Sequence, residues 1–310
     1  MTPTHGTALT VAALAALGLA ACQPAETETQ PEATADAPAE ATVIEVMLED
    51  FSFLAPPQLR SGWTTFRMTN TGEQAHFMLL WRLPEGTTFG DYTEQLAHPF
   101  QEMYDRYTSD ELSQGEMLEQ LGAMLPEWFG SMQGMGGVGL TAPGRTTQAT
   151  VLLEPGNYAM ECYVVDEKGQ FHGTLGMLRP LIVTDETTGM EEPEADIQIT
   201  LANYEMSIVG EFTAGEHTVA AHATEDAEGL AGHDVHLARL EPDTAIEDLV
   251  AWMSWIDGMR PQPPAEFLGG AEHMSAGRTG YFTVTLEPGR YAWISEGYAS
   301  EGMVQEFVVE

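Results

Sequence analysis

The chain has 310 residues, enough for two domains that each close a core of their own. Lys and Arg total 11 against 48 Asp and Glu, a formal net charge of -37. That balance excludes nucleic acid as a ligand, since a polyanion is repelled and no basic stripe exists, and it disfavours an anionic membrane surface. It suits solubility in salty surroundings, or electrostatic steering of a basic partner protein.

Residues 8–21, ALTVAALAALGLAA, are an apolar run too short for an ordinary membrane span, and they read as the core of a signal peptide covering 1–21. The run ends in Leu19-Ala20-Ala21-Cys22, which resembles the bacterial lipobox. The resemblance implies cleavage before Cys22 and lipidation of its sulfur, although the preceding residues offer His5 and no Lys or Arg. The next stretch, 23–41, has no aromatic residue and consists mostly of Pro, Ala, Glu and Thr, the composition of a disordered tether. Of the 2 cysteines, a lipidated Cys22 leaves Cys162 as the one free thiol of an exported protein, which metal ligation or inert burial would explain.

Three segment pairs repeat in the same order along the rest of the chain. Ile44–Phe51 matches Ile197–Tyr204, both alternating apolar and polar as half-buried strands do. AHFMLLWRL (75–83) matches GHDVHLARL (232–240). GRTTQATVLLEPGNYAMEC (144–162) matches GRTGYFTVTLEPGRYAWIS (277–295), each a strand, a Pro-Gly turn and a second strand entered at Tyr. The order implies duplication of one domain, the first over 42–184, a polar linker at 185–194 and the second over 195–310. Short strands separated by turns predict an antiparallel sandwich in each half. Helical spacing interrupts the strands at Tyr92–Phe129 and, more briefly, at Thr244–Ile256, and 130–139 (GSMQGMGGVG) reads as a Gly-rich loop.

Chemistry concentrates in the first half. His76 opens a strand after Thr69-Asn70-Thr71-Gly72. Cys162 ends the strand after the Pro-Gly turn, and His172 and Met177 follow as Cys-x9-His-x4-Met. Two imidazoles, a thiolate and a weak thioether are the donor set of a type 1 copper. In these features the chain resembles the cupredoxin (plastocyanin/azurin-like) family. The resemblance implies an all-β fold of two tandem cupredoxin-like Greek-key β-sandwiches with helical insertions, and electron transfer through one type 1 copper. His76, Cys162 and His172 would be its equatorial ligands and Met177 its axial one. The departure is the Cys-to-His spacing, longer than in small blue proteins and nearer that of the type 1 domain of copper nitrite reductases. In the second half His233 matches His76, but Ser295 stands where Cys162 would and 295–303 has no His, so this copy reads as degenerate, with a packing or docking role.

Other signals are weaker. Copper oxidases and nitrite reductases carry a His beside the ligand Cys, whereas Cys162 is flanked by Glu161 and Tyr163, so an electron carrier, not an enzyme, is expected. The second half also holds His217, His222, His233, His236 and His273, but His233 and His236 should point to opposite faces of one strand, which makes a joint metal site awkward. Met132 and Met135 could serve Cu(I) but more often such residues pack. No phosphate loop or hydrolase motif is present. A metal-free binding module and a copper capture or delivery protein are the alternative readings.

Overall fold

The computed structural model describes residues 43–202, 204–227 and 232–310, so the signal peptide, Cys22 and the tether lie outside the described residues. The first half contains β1 (Val43–Glu49), β2 (Ser52–Leu54), β3 (Gln58–Asn70), β4 (His76–Arg82), β5 (Gln133–Thr141), β6 (Thr146–Leu153), β7 (Gly156–Glu161) and β8 (Leu178–Thr187). The second repeats the series as β9 (Ile197–Ala202), β10 (Glu205–Val209), β11 (Gly215–Ala223), β12 (His233–Leu240), β13 (Glu266–Met274), β14 (Thr279–Leu286), β15 (Gly289–Ile294) and β16 (Val304–Val309). Strand β8 runs three residues into the expected linker.

Alternation of side chains dictates these strands. In β1, Ile44, Val46 and Leu48 are buried while Val43, Glu45, Met47 and Glu49 face solvent, and β9 buries Ile197, Ile199 and Leu201 in the same way. Strand β4 differs, burying every residue from His76 to Leu80, as a strand covered on both faces must. Each Pro-Gly turn is closed by the tyrosine after it. Tyr158 Oη donates to the Glu154 carbonyl at 2.6 Å and accepts its N–H at 3.1 Å, and Tyr291 does the same with Glu287 at 2.9 and 3.1 Å.

The halves share their pairing scheme. Strand β1 lies between β2 and β3, β3 pairs β6, and β4 lies between β5 and β7; β9 to β15 reproduce each of these pairings. The two halves are thus tandem copies of one antiparallel-rich β-sandwich, as expected from the repeats. The halves are also fused through their sheets, since β5 pairs β13 and β6 pairs β14, both antiparallel. One sheet runs β2-β1-β3-β6-β14-β11-β9-β10 and the other β8-β7-β4-β5-β13-β12-β15-β16, with the start of β3 crossing over to pair β8. Ala149 faces Phe282 and Val138 faces Ala271, each opposite its own repeat equivalent. A pseudo-twofold axis therefore passes through both pairs.

The expected Gly-rich loop at 130–139 is instead mostly strand β5. Its glycines serve close packing rather than turning. A Cβ on Gly137 (φ +154°) would lie 1.8 Å from the Met78 carbonyl oxygen, and one on its equivalent Gly270 (φ +147°) would lie 2.1 Å from that of Val235.

The helical excursion comprises α1 (Phe89–Tyr92), a π-helical turn (Thr93–Ala97), α2 (His98–Thr108) and α3 (Gln114–Met124), with capping boxes at Thr88/Asp91 and Ser113/Glu116. Next come α4 (His172–Leu175) and, in the second half, α5 (Ile246–Trp252), within the helical stretch expected there. No described helix is long and apolar enough to cross a membrane.

Candidate metal centre

The predicted site residues converge at one end of the first sandwich. Asn70, wholly buried, donates to the carbonyls of Gln74 (2.7 Å) and Thr141 (2.9 Å) and accepts the Gly72 N–H (2.9 Å), which fixes the loop that delivers His76. Cys162 follows β7, and its N–H donates to the Met177 carbonyl at 3.0 Å. The His172 N–H donates to Val164 (2.8 Å), and the Met177 N–H donates back to the His172 carbonyl (2.9 Å). All four side chains are sealed from solvent at 0 % exposure.

His76 Nδ1 lies 3.0 Å from His172 Nδ1, and Cys162 Sγ lies 3.9 Å from the first and 3.7 Å from the second. What each imidazole does with its other nitrogen decides the chemistry. His76 Nε2 is 2.7 Å from Asp50 Oδ1 and His172 Nε2 is 3.1 Å from Gln74 Oε1. Both oxygens only accept, so each Nε2 carries a proton and each Nδ1 turns a lone pair inward. Two lone pairs and a thiol sulfur then face a common point. Bonds of ~2.0–2.1 Å to nitrogen and ~2.3 Å to sulfur place N and S donors about 3.8 Å apart at trigonal angles, close to the 3.9 and 3.7 Å found, while the two nitrogens, at 3.0 Å, lie closer than the about 3.6 Å such angles give. The donor set fits a single type 1 copper. Met177 is buried, with its backbone tied to both Cys162 and His172.

Without a cation the pocket holds neutral groups. Burial pushes the Cys162 thiol well above its ordinary value, with Glu272 and Glu161 adding to the rise against nearby backbone N–H groups. Burial, with His76 alongside, lowers His172 to about 3. Burial also lowers His76, against the pull of Asp50. Burial alone would raise the Asp50 carboxyl, but the Glu73 N–H and His76 outweigh it and hold it below the usual range. A metal ion entering here displaces the thiol proton.

Sequence reading missed Asp50, Phe51 and Gln74. Phe51 lies against His172 with ring centroids 4.8 Å apart. Gly72 makes the Asp50 contact possible, since a Cβ there would sit 2.1 Å from Asp50 Oδ1. The Asp50 signal was present as a carboxylate at the first strand's end, but nothing local links it to a histidine 26 residues away.

The long Cys-to-His loop has a structural cause. Gln101 on α2 accepts the Phe171 N–H (2.8 Å) and the Thr174 hydroxyl (3.1 Å) and donates to the Gly169 carbonyl (3.1 Å). Val165 and Phe171 pack into a satellite core with Met103, Tyr104, Leu112, Met117 and Leu121. The helical excursion thus buttresses the extra loop residues. In the second half the frame is kept without the donors, since the Ser295 N–H donates to the Met303 carbonyl at 3.0 Å, mirroring Cys162 and Met177.

No family model matches the chain, and no curated protein matches it. Solved structures do. Auracyanin B is 20 % identical over 39 % of this chain and 92 % of its own, with a TM-score of 0.29. Auracyanin A, a blue copper protein of Chloroflexus aurantiacus, is 19 % identical over 46 % of this chain and 98 % of its own, with a TM-score of 0.28. A multicopper oxidase is 14 % identical over 86 % of this chain and 88 % of its own, with a TM-score of 0.23.

Proposed function

We propose that this chain is an exported, lipid-anchored electron carrier with one type 1 copper in its first half, held by His76, Cys162 and His172 with Met177 as the axial group. The observation that carries the reading is the inward convergence of two Nδ1 lone pairs, 3.0 Å apart, on a buried thiol, with each Nε2 pinned by an outer acceptor. When bound, copper supplies one-electron transfer, its Cu(I) state suited to thiolate and its Cu(II) state to imidazole. The protein's share is positional. Asp50 and Gln74 hold the tautomers, Gln101 steadies the ligand loop, and full burial excludes water. Copies over 42–184 and 195–310 divide the work, one holding metal and the other widening the sandwich. Cys22 tethers the pair to a membrane through 23–41, on its periplasmic or extracellular face, and the charge of -37 steers a basic redox partner. With Glu161 and Tyr163 beside Cys162, the reading is a carrier and not an oxidase.

The test is a Cu(II) titration of the full chain followed by visible spectroscopy and copper stoichiometry. An intense thiolate-to-copper band at one copper per chain, lost in Cys162→Ser and unchanged by substitution at Ser295, is expected. Cu(I) binding without a blue Cu(II) state would instead mark a capture or delivery protein. No band and no bound copper would leave a binding module.

A further inference from the structure

A second cluster of metal-ligating side chains lies where the two halves meet. Asp234, Glu272 and His273 each offer a ligand atom within 4.8 Å of the others, and the two carboxylates are completely buried. Asp234 Oδ1 accepts the Glu296 N–H at 2.7 Å, while Oδ2 lies 3.2 Å from His273 Nε2 without hydrogen-bond geometry. Neither oxygen of Glu272 finds a hydrogen-bond partner among the described residues, and neither does Glu296 Oε1. His236 accepts the Leu140 N–H at Nδ1 (3.1 Å), so its Nε2 carries a proton, aimed at Asp234 Oδ1 (3.7 Å) and Glu272 Oε1 (3.8 Å). Buried carboxylates left unpaired at this proximity are costly unless a cation or protons compensate them.

The geometry points to a second metal site, in which a divalent transition ion is bound by Asp234, Glu272 and His273. Bonds of ~2.0–2.1 Å give a tetrahedral site edges of about 3.3 Å, close to the 3.2 Å between His273 Nε2 and Asp234 Oδ2. Imidazole with carboxylate and no sulfur selects ions of the Zn²⁺, Mn²⁺ or Fe²⁺ kind over Cu(I). His236 is not a ligand, and its Nε2, 3.7 and 3.8 Å from the two carboxylates, makes no hydrogen bond to either. As it stands His273 accepts the Gly232 N–H at Nδ1 (3.3 Å) and donates from Nε2 to Tyr163 Oη (3.1 Å), so ligation through Nε2 would require the ring to shift its proton to Nδ1 and release both contacts. A cavity of about 100 Å³ reaches His273 of the three ligands, and its largely aromatic wall also carries Glu161, Tyr163, Thr174 and Glu296. Tyr163, the residue after Cys162, donates to Glu296 Oε2 at 2.8 Å and lies 3.1 Å from His273 Nε2, so one side chain separates the two centres. His233 and His236 on their own make a joint site awkward. The carboxylates of β12 and β13 supply what those histidines lack.

The site does not depend on the copper reading. The full chain, stripped of metal and reloaded with one equivalent of Cu(II), is titrated with Zn²⁺ by calorimetry and with Co²⁺ by visible spectroscopy. One further equivalent is expected, with weak Co²⁺ bands and no thiolate charge transfer. Glu272→Gln, which keeps shape and removes charge, should weaken binding at least about 10-fold. The Cys162→Ser chain should still bind this equivalent, so failure at one centre is distinguishable from failure at the other. Should Glu272→Gln not fold, His273→Gln is measured in its place. Absence of the extra equivalent, or an affinity indifferent to these substitutions, overturns the assignment.

Discussion

Removing the Asp50 carboxylate tests the tautomer argument directly. His76 is wholly buried and its Nε2 proton reaches Asp50 Oδ1 at 2.7 Å. Asp50→Ala strands that N–H, which costs about 1–3 kcal/mol in the metal-free protein. With copper bound, the lost partner no longer orients the ring or raises its basicity, and such outer partners typically account for about 10–100-fold in metal affinity, or roughly 1.4–2.7 kcal/mol. The two costs are separate, since the first compares folded with unfolded chain and the second is the extra strength the hydrogen bond gains when the ring holds a cation. Asp50→Asn keeps an acceptor oxygen without the charge and should fall between wild type and Ala. Urea melts of the metal-free protein give the first number, and competition with a chelator gives the second. If Asp50→Ala binds copper within about twofold of wild type and melts at the same denaturant concentration, Asp50 does not set the His76 tautomer.

The metal-free protein should lose stability on acidification. Folded His172 titrates at about 3 against an ordinary 6.5, so the unfolded chain takes up the proton first. His172 alone should therefore contribute a decline of about 1.4 kcal/mol per pH unit from roughly pH 6.5 towards 3, and urea melts across that window should show the slope reduced by that amount, not abolished, in His172→Gln, because buried His76 and His236 are lowered too. Tyr158→Phe and Tyr291→Phe should each cost about 1–3 kcal/mol in thermal or urea melts, since each strands a Pro-Gly turn in the same way, and the double variant should show roughly the sum. Gly137→Ala and Gly270→Ala should each destabilise by more than about 3 kcal/mol by thermal melt, because a Cβ at either position meets backbone oxygen and not a side chain that can move aside.

The fold was largely legible in the repeats, because a strand with one buried face writes its period into the residue order, as Ile44-Glu45-Val46-Met47-Leu48 does. The copper donors were legible for a related reason, since His76, Cys162 and Met177 sit at strand ends that repeats and turns locate, with His172 on the loop between two of them. Strand β5 was hidden because glycines that permit backbone approach look like glycines that permit turning, and only the neighbouring strand tells them apart. Asp50 and Gln74 were hidden because their roles depend on which loops meet at one end of the sandwich. Asp234, Glu272 and Glu296 were hidden more deeply, for acidic residues in so acidic a chain read as surface until the halves are joined and some prove to be buried between them.

The bond between Tyr163 and Glu296 bears on how the two halves came to fit. These residues occupy equivalent places in the two copies and meet each other across the pseudo-axis. Two identical subunits could not make this contact, since a symmetric pair would set phenol against phenol or carboxylate against carboxylate. The join is complementary only because the positions are specified separately, which frees one copy to keep a thiolate while the other puts Ser295 in its place and buries acids nearby. Each half has in effect become free to build what its twin no longer has to match.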